Sequence, residues 1–302
     1  MIKLKEILEK NNIKAIKYQK SKDITIIYTK DMKYVVDENV PNIKIIEFLL
    51  NRNFKGIPKI LDIRKNIMLR EYLEDVDVPE ETKMKDLISL VATMHLKTSF
   101  YKEIDEVKYK ELYENIYNNL IYLNDYYKDL IDIIETKVFM SPSEYLLALN
   151  ITLIFDSINY SKEKIKDWYE IINNKDKNRM RVCVINNDLS LNHFYDEKEG
   201  YLTNWNKSRI DMPIFDLYKL YIRTGSEYDF IDLLKKYEKI YPLKNYELLL
   251  FYILISIPNK IEFNLNEFDM CNRIQKEIDK LIKSSNIIKN YRSLKNTFAQ
   301  TK

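Results

Sequence analysis

The chain has 302 residues, 46% of them hydrophobic, and its 49 Lys and Arg nearly cancel its 46 Asp and Glu, leaving +3. That composition excludes a disordered chain and gives no dominant basic field for holding nucleic acid. Only three glycines occur, Gly56, Gly200 and Gly225; average usage would give about twenty. No two share a loop, so a dinucleotide fingerprint, a P-loop and a kinase-type glycine loop are all absent.

Cys183 and Cys271 lie far apart among apolar neighbours, which fits simple packing in a reducing interior. With only His95 and His193 present, a multi-histidine metal site is excluded. The opening MIKLKEILEKNN lacks the apolar core of a signal peptide. The longest apolar stretch, Leu248 to Ile255, is far short of a bilayer span. These features predict a cytoplasmic protein with neither membrane nor nucleic acid as partner.

In chain order, Ile2, Leu4, Ile7 and Leu8 predict a short amphipathic helix. Three strand-like runs follow, Ile13 to Tyr18, Ile24 to Thr29 and Met32 to Val36. Lys22-Asp23 and Lys30-Asp31 form the turns between them. Pro41 opens a helix through Leu50. Lys59 to Asp62 and Ile67 to Tyr72 read as two more strands. The prediction is an α+β fold: an N-terminal β-rich lobe over 1–74, an acidic linker over 75–82, and a helical lobe over 83–302.

In the helical part, Leu87, Ile88, Val91, Met94 and His95 share one face. Ile104 to Ile134 and the run from Pro142 to Ile172 predict an antiparallel helical pair. The tyrosines Tyr113, Tyr117, Tyr122, Tyr126 and Tyr127 read as an amphipathic face with wet phenol tips. The cations of the last helix, such as Lys276 and Lys280, read as a solvated face. Within this lobe Val182 to Ile185 is a buried strand, followed by a polar loop over 186–192. His193 to Tyr195 and Tyr201 to Trp205 complete a hairpin over 182–206, with Gly200 at its turn.

The residues V-I-N-N-D-L-S-L-N-H-F, then Y-L-T-N-W-N-K, then I-D-M-P-I-F-D-L-Y-K-L-Y carry a resemblance. In order and spacing they are similar to the aminoglycoside phosphotransferases and choline kinases. There a catalytic H-G-D-x-x-x-x-N loop, a metal-binding I-D-W strand and a G-D-P-x-x-D-L segment follow one another. The strand-rich first lobe and acidic linker extend the resemblance over most of the chain. Bacterial spore coat kinase-like proteins are a further neighbour of this kind. The resemblance implies a two-lobed protein kinase-like fold and, in the family's active members, ATP and Mg²⁺ as cofactors.

It also implies roles. Asp188 stands at the catalytic base, which takes the proton of an attacking hydroxyl in phosphoryl transfer. Asn204, Asn192 and His193 stand at or beside the metal-ligand positions, where Mg²⁺ calls for hard oxygen donors. Asp211 and Asp216 stand where the family braces its catalytic loop. Glu47 stands at the helix Glu that pairs with the phosphate-binding Lys, and Lys33 or Lys44 is the nearest available partner. Asp37 occupies the position of that Lys itself, and an Asp there repels phosphates.

These departures all weaken the same function. The Lys, the metal Asp and the glycine loop are missing, and the metal Asn is displaced. Loss of even one preorganised electrostatic group costs about 10²–10³ in rate. The expectation is therefore a pseudokinase or scaffold that binds a small molecule or a protein partner. The alternative is an atypical ATP-dependent kinase of a hydroxyl-bearing small molecule, with Asp188 as base. A third possibility is a helical interaction protein whose hairpin imitates the motif. Separation of Asp188 from Asn204 in space would defeat both kinase readings.

Overall fold

The structure is a computed structural model that describes residues 2–21, 24–38, 42–64, 67–173, 179–195, 200–225 and 227–300. The predicted turn at Lys22-Asp23 and the predicted helix start at Pro41 lie outside them. The chain divides into two compact units. One comprises Met1–Phe100, Arg181–Leu220 and Leu233–Pro242; the other comprises Tyr101–Met180, Tyr221–Asp232 and Leu243–Lys302.

The first unit opens with α1 (Ile2–Lys10), then β1 (Lys17–Ser21), β2 (Ile24–Tyr28) and β3 (Lys33–Asp37). Helix α2 (Ile43–Asn51) precedes β4 (Ile60–Arg64) and β5 (Ile67–Glu71). The five strands form one antiparallel sheet in the order β1-β2-β3-β5-β4. The predicted α+β class and the strand and helix order hold.

One strand is displaced from its prediction. β1 is Lys17–Ser21 rather than Ile13 to Tyr18, and all five of its residues are exposed. Ile13 and Ala15 pack instead against the cluster of Ile7, Leu8, Ile27, Val36, Ile67 and Leu69. The apolar residues are used on α1's cluster, and the edge strand is held by backbone pairing with β2 and by surface contacts such as Tyr28 to Gln19 at 2.7 Å. Each fully buried Ile or Leu of that cluster contributes about 1.5–3 kcal/mol.

Strand alternation then sorts the opposite face. Val36 and Leu69 face α1's cluster, so Val35, Asp37, Met68 and Arg70 point the other way. Asn42 caps α2 by accepting from Lys44 N at 3.1 Å.

Beyond the acidic segment, α3 (Glu80–Thr98) begins after Pro79 with Glu80 and Glu81 in its first turn, which suits the helix dipole. Its buried face includes Met84, Leu87, Ile88, Val91, Met94 and His95. β6 (Phe100–Glu103) follows; it was not foreseen.

In the second unit α4 (Glu106–Glu135) packs on α5 (Pro142–Asn173), as the periodicity predicts. The expected wet tyrosine face is corrected at Tyr127, while Tyr122 is exposed. Tyr127 falls in phase with buried Tyr109, Ile116, Leu120 and Leu123 and is itself in the core. Its phenol donates to Asn259 O at 2.5 Å, and Tyr126 donates to Ile261 O at 2.5 Å. A buried phenol needs an acceptor, and these carbonyls supply it.

The chain continues with β7 (Arg179–Ile185), a 3₁₀ turn at Leu191–His193, β8 (Phe194–Tyr195), β9 (Tyr201–Leu202) and β10 (Arg209–Asp211). β8 and β9 form the predicted hairpin. Gly200 takes φ +78° there, and a Cβ would meet Phe194 Cε2 at 2.8 Å, so only glycine fits comfortably. The unforeseen β10 pairs antiparallel with β7, setting Asp211 opposite Cys183. Helices α6 (Ile214–Thr224), α7 (Phe230–Ile240), α8 (Asn245–Ser256) and α9 (Glu267–Gln300) follow. Among the described residues no helix is long and apolar enough to cross a membrane.

Candidate functional site

The loop after β7 lies in the first unit and is held from behind by one carboxylate. Asp216, at 0% exposure, accepts from Asn186 N at 2.9 Å and Asn187 N at 2.6 Å. Its Oδ2 also meets His95 Nε2 at 3.2 Å, and His95 Nδ1 meets the Tyr237 hydroxyl at 2.7 Å. A carboxylate oxygen accepts, so the Nε2–H of His95 donates to Asp216, and its Nδ1 accepts a hydrogen bond from the Tyr237 hydroxyl. Asn187 takes φ 64°, the left-handed region where the family's loop has glycine. Asparagine tolerates that region better than most residues, which is how a glycine-poor chain makes this turn.

Asp188 projects from the braced loop and is buried. Its backbone N–H donates to Asn186 Oδ1 at 3.2 Å. Its Oδ2 receives two donors, Asn204 Nδ2 at 2.9 Å and Lys207 Nζ at 3.0 Å. Asn204 also has a left-handed φ, 60°. Asp188 and Asn204 therefore share one site, as both kinase readings require. A second cation stands close by: Lys219 Nζ donates to Asn187 O at 3.2 Å. Burial, followed by the nearby Arg209 guanidinium, holds the Lys219 ammonium below the ordinary lysine range.

The remaining predicted residues are placed as follows. Asp211 accepts from Met212 N at 2.9 Å and from Arg209 Nε at 3.0 Å, so these two bonds secure the end of β10. Asn192 is exposed and lines a groove with Asp75, Asp77 and Lys83. His193 lies at the end of the 3₁₀ turn and is half-buried, and its carbonyl accepts from Thr203 N at 2.9 Å. Lys33 does not turn toward α2. It donates to Glu74 at 3.2 Å and lies over the Tyr72 ring, and Glu74 holds its ammonium above the ordinary value. Glu47 and Lys44 are both exposed on α2. The sequence therefore suggests a Lys33–Glu47 pair that the structure does not make, because Lys33 sits at the β3 end nearest Glu74.

A different charge pair occupies the β3–β5 face. Asp37 is 6% exposed and Arg70 is 4% exposed. Asp37 opposes Met68 and Arg70 opposes Val35, so the two are diagonal neighbours within reach of a long side chain. Burial lowers the Arg70 guanidinium's pKa and the Asp37 carboxylate opposes that shift. Arg70 Nη1 donates to Glu71 O at 3.3 Å, while its buried Nε has no hydrogen-bond partner. Around it lie Ile46, Met68, Thr203, Asn204 and Trp205, with a residual space of about 10 Å³. That is at the lower limit for a single water.

These donors fit a divalent cation poorly. Asn204 turns its amide N–H₂ toward Asp188, and an ammonium already sits on the same carboxylate oxygen. Among the described residues no group of three or more His, Cys, Asp or Glu is placed to hold a metal. Mg²⁺ keeps near-ideal octahedral oxygen coordination and usually takes one or two carboxylates, which a neutral amide and a lysine do not replace.

Sequence reasoning passed over Arg70, Lys207, Lys219 and Tyr237. The one available signal was Arg70 itself, a charge that directly follows the apolar run Ile67-Met68-Leu69 in a predicted strand.

The sequence matches no protein-family profile and no curated protein. Solved structures do match. An aminoglycoside phosphotransferase from Alicyclobacillus acidocaldarius aligns over 92% of this chain and 93% of its own, with TM-score 0.69 and 8% identity. A spectinomycin phosphotransferase in its AMP-bound form aligns over 94% and 97%, with TM-score 0.56 and 11% identity. The same enzyme with ADP and spectinomycin aligns over 95% and 98%, with TM-score 0.50 and 12% identity. The chain has the two-lobed, protein kinase-like fold of the aminoglycoside phosphotransferases.

Proposed function

We propose that this protein is a pseudokinase: a kinase-fold binding or scaffold protein in which ATP·Mg²⁺-dependent phosphoryl transfer is lost or much reduced. The observation that carries this reading is the occupation of Asp188 Oδ2 by Lys207 and Asn204. A general base must be free to take a hydroxyl proton, and an ammonium on that oxygen lowers its basicity. The buried Asp37–Arg70 neighbours add to it, since a carboxylate replaces the cation that would hold the phosphates. The partner is a small molecule or a protein, and the expected location is the cytoplasm.

A second reading is an atypical ATP-dependent kinase of a hydroxyl-bearing small molecule. The intact brace from Asp216 to the Asp188 loop favours it, because a rigid base is what transfer requires. The spectinomycin phosphotransferase complexes with AMP and ADP make nucleotide the natural ligand to test.

Thermal shift with ATP, with and without Mg²⁺ or Mn²⁺, separates the two on wild type and Asn204→Ala. A ligand at 100 times its Kd adds about 2.7 kcal/mol. For a pseudokinase the expected result is no metal-dependent shift at millimolar ATP. A metal-dependent shift that Asn204→Ala abolishes would replace this reading with the enzyme.

A further inference from the structure

Two ammonium groups each bond the Asp188 loop, and Asn204, expected to face a divalent ion, turns its amide N–H₂ to Asp188 instead. Lys207 Nζ lies 3.0 Å from Asp188 Oδ2. Lys219 Nζ lies 3.2 Å from the carbonyl of the adjacent Asn187. The Lys207 side chain is 56% exposed, against 9% for Asp188. The carboxylate is thus covered by an ammonium carried on a largely exposed side chain. Lys219 is half-buried, where a charge-assisted hydrogen bond is stronger than in open water.

We propose that this end of the loop is a metal-independent site for the phosphate group of a small molecule, held by Lys207 and Lys219. Lys207 covers Asp188, so the carboxylate does not repel the ligand. The two lysines supply positive charge where a kinase supplies it through a metal. A divalent cation would compete with Lys207 for Asp188 and with the protein for the phosphate, so it does not strengthen binding. The proposal rests on the pseudokinase reading and names the ligand class of that same site.

The test is titration calorimetry of the full chain with inorganic pyrophosphate, in EDTA and again in Mg²⁺. The variants are Lys207→Met, Lys219→Met and Lys207→Arg, each checked for an unchanged circular dichroism spectrum. The expected result is saturable binding in EDTA, no tighter in Mg²⁺. Each Met variant should weaken it at least about tenfold, the loss of one charged hydrogen bond. Lys207→Arg should retain it. Absence of binding in EDTA, or equal affinity in both Met variants and wild type, would overturn the site and leave the pseudokinase reading standing. Pyrophosphate binding that requires Mg²⁺ would overturn the site's metal independence. Failure of the pseudokinase reading would show instead as the metal-dependent ATP shift that Asn204→Ala abolishes.

Discussion

Behind the Asn186–Asp188 loop, Asp216 receives two backbone N–H groups and His95, and His95 in turn meets Tyr237. In front of it, Asp188 meets an ammonium and an amide, and a carboxylate lies beside a guanidinium on the β3–β5 face. The rear network matches what a rigid catalytic loop requires. The front pairs its carboxylates with an ammonium and a guanidinium, and the proposed loss of phosphoryl transfer rests on those pairings. On the pseudokinase reading, holding a loop and performing chemistry on it are separable demands. A buried carboxylate must satisfy its donors whatever the ligand is, because an orphaned buried polar group is costly.

The rear network can be broken most severely. Asp216→Ala removes the acceptor of two backbone N–H groups and of His95, and should cost about 3–5 kcal/mol in denaturant titration. A cost below about 1 kcal/mol would show that the loop is held by other contacts.

The β3–β5 pair gives the next effect. Asp37→Leu or Arg70→Met alone removes one charge of this buried pair and should cost about 3 kcal/mol. The double variant should cost clearly less than the sum, since an apolar pair needs no partner. Strict additivity in that cycle would show that the two side chains do not interact.

Tyr237→Phe deletes one buried donor to His95 and should cost about 1–2 kcal/mol, read as a lower melting temperature. Lys207→Met should change stability least, by about 1 kcal/mol, because that lysine is largely in solvent and Asn204 still donates to the Asp188 oxygen it leaves. A large loss of stability in Lys207→Met would turn it from a ligand-facing residue into a structural one, reversing the contrast at that position.

Much of this arrangement was legible in the sequence. The run Asn186-Asn187-Asp188, the hairpin and the Asp211–Asp216 segment lie close together in the chain, so their spacing carried the fold. The proximity of Asp188 and Asn204 followed from the same local order. The Asp37–Arg70 relation did not, because it depends on the β3–β5 register that sets Val35 opposite Arg70. A one-residue slip would send Arg70 to the α1 face. Lys33 misled for a related reason: it shares Asp37's strand face but lies at the strand end, where Glu74 captures it. β1 was displaced because α1 needed Ile13 and Ala15 for its own cluster. Lys207 and Lys219 gave no signal among the chain's 49 basic residues.

The most direct test of lost chemistry is turnover of ATP with Mg²⁺, followed by release of labelled phosphate from wild type and Asp188→Asn. The expected result is that both proteins match buffer. Wild-type turnover above buffer that Asp188→Asn abolishes would contradict the pseudokinase reading and establish Asp188 as a working base.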